Sequence, residues 1–157
     1  MADKTESLHS SPCIAPEPEI ISLRTQLLSA GHTKRLLAAT DMMTLHIHSY
    51  GPQGGENGLH AHMEEDHVFV CLQGEAHFTG RGGPLPALRK NQALFLPRGC
   101  YYTFSNETNE PLVLVRFGAM PKGIKSARLG STRKPIPSRA VQHGMVEPTF
   151  IGNAFFE

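Results

Sequence analysis

Tryptophan is absent and the other aromatics are sparse, three tyrosines and eight phenylalanines in 157 residues. Cysteine is scarce as well. Cys13, Cys71 and Cys100 are the only three, an odd number with no paired spacing, which argues against a disulfide framework and leaves a reducing cytoplasm as the simple expectation. No basic stretch followed by an apolar run opens the chain, so no secretory signal is expected. No apolar run approaches the ~20 residues of a membrane-spanning helix. Charge of either sign is not in excess: the formal net charge is +1, which points to neither nucleic acid nor membrane as a partner. A sustained helical period is also missing.

Turn residues and short apolar runs fill the chain instead. Fifteen glycines and twelve prolines are too many for a helix bundle and suit short strands joined by turns. The length suffices for one domain with a real core. Residues 1–19 are rich in serine, proline and charge, and read as a flexible leader. Leu23–Leu28 fits either a short strand or a helical turn. From Leu36 on, strand signals accumulate. Met43, Leu45 and Ile47 alternate with Thr44, His46 and His48. A break is expected at GPQGGENG, residues 51–58. Strands are then expected at Val68–Leu72, Glu75–Thr79, Ala93–Leu96, Tyr101–Phe104 and Leu112–Phe117. This spacing predicts an all-β antiparallel sandwich or barrel over residues 20–120.

The chemistry concentrates in LHAHMEEDHVFV. His60 and His62 lie two apart, so in an extended segment both imidazoles face the same side. His67, after a short turn, can start the next strand and face inward with Phe69 and Cys71. Three neutral imidazoles meeting in a barrel mouth suit one divalent ion, with zinc, iron, nickel, copper and manganese all compatible. An H-x-H pair alone is weak, since His46 and His48 form another.

The frame around the second pair resembles the cupin superfamily. Its first motif runs through Gly54, His60, His62 and Gly74, with His67 where glutamate is usual. Its second runs through Asn91 in a glycine position, Pro97, Gly99, Tyr102 in a histidine position, and Asn106. The resemblance implies a single jelly-roll barrel with His60, His62 and His67 as metal ligands and Tyr102 at the fourth position. With histidine replacing glutamate, the protein ligand set would be neutral. Glu64, Glu65 or Asp66 is the alternative source of a carboxylate, and Asp66 fits the shorter spacing of the motif. His67 is preferred because it keeps the six-residue distance to Gly74. Tyr102 can ligate as phenolate, act as a general acid or base, or wall the pocket.

Phe69, Cys71, Phe104 and Arg116 are the candidate pocket residues. A buried Arg116 would need an anionic partner and could bind a substrate carboxylate, while snorkelling to the rim is the plainer expectation. Residues 121–157 form a tail. Its basic run, without interleaved aromatics, reads as a solvated segment, and its apolar end is expected to dock on the barrel or on a partner subunit. The function implied is a metal-dependent enzyme acting on a small organic molecule, with a mononuclear Fe(II) dioxygenase favoured. A non-oxidative isomerase, cyclase or lyase using Tyr102, and a non-catalytic binding module, are the alternatives. A homodimer is expected by analogy.

Overall fold

Strand after strand sends alternate side chains to opposite faces, and the faces sort cleanly into inside and outside. In the computed structural model, residues 17–136 and 146–157 are described. Most of the expected leader and the middle of the expected tail lie outside the described residues. Thirteen strands follow one another: β1 (Thr25–Ala30), β2 (His32–Ala39), β3 (Met43–Tyr50), β4 (Gly55–His62), β5 (Asp66–Gln73), β6 (Glu75–Gly80), β7 (Gly83–Pro84), β8 (Leu88–Arg89), β9 (Ala93–Leu96), β10 (Tyr101–Ser105), β11 (Leu112–Ala119), β12 (Arg128–Gly130) and β13 (Thr149–Phe156). No helix occurs among the described residues.

The chain is an all-β jelly roll. One sheet has the order β2-β3-β11-β5-β9, and the facing sheet the order β12-β4-β10-β6-β7, with β8 also on β6. All pairings are antiparallel. Between the sheets lies a core of Tyr50, Phe69, Cys71, Ala76, Phe78, Leu88, Leu96, Tyr102, Phe104, Leu112 and Leu114. Phe78 stacks on Phe104 at 4.7 Å, and Phe69 meets both rings edge-on. Burial of each such side chain stabilises the fold by roughly 1.5–3 kcal/mol. This aromatic packing fills one end of the barrel and leaves the polar interior positions to the other.

Two motif positions have direct structural reasons. Asn91 has φ of 66°, a left-handed conformation that asparagine tolerates better than most residues, so it can stand where the motif carries glycine. Asn106 is buried in a turn. Its Nδ2 donates to the carbonyls of Gly51 (3.1 Å) and Glu110 (2.7 Å), and its Oδ1 accepts from the Thr108 backbone (3.1 Å) and hydroxyl (2.8 Å).

The two ends of the described chain meet outside the barrel. β13 pairs with β1, with Thr25 opposite Phe156 and Ala30 opposite Thr149. Leu27 and Phe156 pack on Ile47, Val113 and Val115, the outward residues of the five-stranded sheet. The break expected over residues 51–58 is shorter than anticipated. β4 already begins at Gly55, because its backbone pairs with Ser105 and Phe104 of β10.

Candidate metal centre

The chain passes from one sheet to the other at Met63–Glu65, between β4 and β5. That corner brings His60 and His62 from β4 up against His67 from β5. All three are buried, together with Glu65 in the corner itself. The ligand atoms of His62, Glu65 and His67 lie within 4.8 Å of one another, the one group of three or more potential metal-binding side chains among the described residues. Glu65 Oε2 is 3.5 Å from His62 Nδ1 and 3.3 Å from His67 Nε2.

The carboxylate expected to be missing from the site is therefore supplied by Glu65, two residues before His67. Its neighbours in sequence are used elsewhere. Glu64 accepts from the Ala127 backbone at 2.7 Å. Asp66 accepts from the backbone of Arg98 at 2.7 Å and pairs with its guanidinium at 2.6 Å, which turns it away from the histidines. Glu65 fits because the strand across from it carries Gly118. A Cβ at position 118 would overlap Glu65 Oε1 and come 2.9 Å from Thr44 Oγ1. Gly118 was not singled out in the sequence, although a lone glycine inside the apolar run LVLVRFGA is the usual mark of a close approach.

His60 flanks this group. Its Nδ1 is 3.0 Å from the Gly58 carbonyl, so an Nδ1–H donated there fixes the ring and leaves Nε2 as the acceptor side. Its ring centroid is 5.4 Å from that of His62 and 4.7 Å from that of Tyr102. The Tyr102 hydroxyl lies 3.2 Å from His67 Nδ1. Phe69 and Phe104 lie in the aromatic core below, with the Phe69 ring centroid 6.0 Å from that of His67. Cys71 is deeper still. Its thiol faces the carbonyls of Gln73 and Gly74, and burial pushes it up to about 11, which keeps it protonated.

Arg116 does not snorkel outward. It is buried, with Nη1 3.5 Å from His67 Nε2, Nη2 3.2 Å from His46 Nδ1 and Nη2 3.9 Å from Glu65 Oε1. Glu65 is thus the anionic partner that a buried guanidinium requires.

Protonation suits a cation site. Burial lowers His62 to about 4 and also lowers His67, so both rings are neutral near pH 7 and free to act as ligands. For Glu65, burial opposes ionisation, but hydrogen bonds from His62 and His67 and the nearby Arg116 charge outweigh it and hold the carboxyl below its ordinary range. Two neutral imidazoles and one carboxylate are a donor set for iron or zinc. His62 faces Glu65 through Nδ1, and its Nε2 is buried without a hydrogen-bond partner among the described residues. The residues present therefore fit a divalent metal.

Comparison with known proteins gives the same fold. The Schizosaccharomyces pombe Cnp3 cupin domain is 21% identical, with a TM-score of 0.53 over 57% of this chain and 61% of that one. This chain thus spans about three fifths of that relative's length. A double-stranded β-helix protein from Klebsiella pneumoniae is 20% identical, with a TM-score of 0.59 over 71% of this chain and 97% of that one. A structure of the DMSP lyases RdDddP and RnDddQII is 19% identical, with a TM-score of 0.51 over 60% of this chain and 51% of that one. No curated protein matches the chain in sequence. The cupin domain family matches residues 46–117, the span from the first inward histidine of β3 to the end of the apolar run in β11. With that match over residues 46–117 and the jelly-roll fold shared with these neighbours, the chain carries a cupin domain whose corner gathers the motif histidines.

Proposed function

We propose that the protein is a metal-dependent enzyme acting on a small organic molecule, with His62, Glu65 and His67 holding one divalent ion. The observation that carries this reading is the convergence of two neutral imidazoles and one carboxylate on a common point in a buried corner. Iron bound there supplies dioxygen chemistry, and zinc supplies Lewis-acid chemistry. The two-histidine, one-carboxylate donor set favours the iron dioxygenase. His60 is placed to act as a further ligand through Nε2.

The chain's own residues divide the remaining work. Tyr102 orients His67 through its Nδ1. Phe69, beneath His67, shields the centre from below. Arg116 balances the Glu65 charge from the side of β3 and β11. A non-oxidative lyase or isomerase is the second reading. It is favoured by the 3.2 Å contact between the Tyr102 hydroxyl and His67, which can hold or pass a proton. One neighbour of the same fold is a DMSP lyase.

A homodimer is part of the proposal. Phe95 and Phe117 point outward from the five-stranded sheet and are exposed, next to half-buried Val68 and Val70. Analytical ultracentrifugation is expected to show a dimer, and a monomer at all concentrations would contradict it. Activity is tested by oxygen uptake of the iron-loaded protein with diketones, phenols and thiols. Uptake with one class supports the dioxygenase. Turnover by the zinc form without oxygen consumption supports the second reading.

A further inference from the structure

Beside the metal group the interior is cationic. Arg116 is buried, and its Nε–H has no hydrogen-bond partner among the described residues. Its other nitrogens face imidazoles, at 3.2 Å for His46 and 3.5 Å for His67, which are weak partners for a buried charge. Glu65 is the one buried carboxylate among the described residues, and at 3.9 Å it pairs with Arg116 only by charge. Once Glu65 serves a divalent ion, Arg116 keeps its charge and loses most of its counterion.

Two more cations border the same interior. β2 and β12 are the outermost strands of their sheets on one side, and each carries a basic residue at the level of the histidines. Lys34 of β2 is the backbone partner of His48, and Arg128 of β12 is the backbone partner of His62. Residues directly opposite one another on neighbouring strands face the same side of the sheet, so both lie on the face that carries the buried histidines. His48 is buried with Nε2 unpartnered, a further polar atom without a partner on this side.

We infer that this flank of the barrel is a carboxylate subsite, in which Arg116, backed by His46 and with Lys34 and Arg128 at the edges, takes the carboxylate of a small organic acid. A guanidinium presents a planar fork of N–H donors that matches a carboxylate, and the unmet Nε–H supplies one of them. The short distance from Arg116 to His67 places that carboxylate next to the metal group, so the acid's reacting carbon lies close to the proposed centre. The inference rests on the metal-centre reading in one respect, that Glu65 is committed to the ion.

The test is calorimetric titration of the full chain, with and without one equivalent of zinc. The probes are pyruvate against pyruvamide and oxalate against oxamide. The acids are expected to bind at least tenfold more tightly than the amides. R116Q is expected to abolish that preference while zinc binds as tightly as before or more tightly, because a nearby cation has been removed. R116K retains part of the preference. K34Q lies on an exposed edge, leaves the interior intact, and weakens the acids two- to fivefold. Equal binding of acid and amide by the wild type, or an undiminished preference in R116Q, overturns the subsite. If R116Q does not fold, an unchanged preference in K34Q overturns it. Failure of zinc to bind overturns the metal reading instead, and the zinc-free titration then decides the subsite alone.

Discussion

Gly118→Ala is the smallest change that strikes the proposed centre without touching a ligand. The new Cβ overlaps Glu65 Oε1 and comes 2.9 Å from Thr44 Oγ1. A carboxylate side chain in a tight corner has little room to shift, since Oε2 is held by His62 and His67 at 3.5 and 3.3 Å. Glu65 must therefore swing out, or β11 must move away from the corner. Overpacking of this kind costs about 1–3 kcal/mol. Displacement of a group that orients metal ligands typically costs 10–100-fold in metal affinity, and here a ligand itself moves, so the loss should reach about 100-fold or more. Gly82→Ala is the control, because nothing lies within 4 Å of a Cβ there. It should change stability by no more than about 0.5 kcal/mol. Urea unfolding measures the first effect, and zinc competition against a fluorescent chelator measures the second. If G118A binds zinc as tightly as the wild type, Glu65 does not need the space above Gly118, and the ligand assignment fails.

Further outcomes are expected. Tyr102→Phe removes the hydroxyl 3.2 Å from His67 Nδ1 and should weaken metal binding about tenfold, at a stability cost of about 1 kcal/mol. Equal zinc affinity in the variant would show that Tyr102 is only a wall. Asn106→Ala strips partners from the Gly51 and Glu110 carbonyls and should destabilise by about 2–4 kcal/mol in urea unfolding, with no specific effect on the metal. The metal-free protein should lose stability as pH falls below the ordinary histidine value. His48, His62 and His67 are held neutral by burial in the folded chain, His62 down to about 4, so the unfolded chain binds more protons in that window. Each such histidine contributes about 1.4 kcal/mol per pH unit once pH is well below its unfolded value. A flat stability curve between pH 6.5 and 4, a window bounded by the ordinary histidine value and that of His62, would contradict their burial as neutral rings.

The strands legible in the sequence are those whose own side chains alternate or end at a turn: β3, β5, β6, β9, β10 and β11. The strands that are not legible lie mostly at edges or ends. In β2, the HTKRLLAA stretch has no apolar alternation because it covers only one flank of β3, and GENG in β4 is strand because β10 pairs with it. β13 exists through β1, a pairing across almost the whole chain that local composition cannot express. The site divides in the same way. H-x-H on a strand and a third histidine opening the next one are local patterns, so their convergence can be read directly. Which acid of Glu64, Glu65 and Asp66 turns inward is not local. It is decided by Arg98 and the Ala127 backbone, which take two of them, and by Gly118, which makes room for the third.

The central claim is that one divalent ion binds through His62, Glu65 and His67. Titration of the metal-free protein with zinc, followed by inductively coupled plasma analysis of the dialysed complex, tests it directly in the wild type and in Glu65→Ala. One ion per wild-type chain, with binding weakened at least 100-fold in the variant, is the predicted result. Equal zinc retention by both proteins would contradict it.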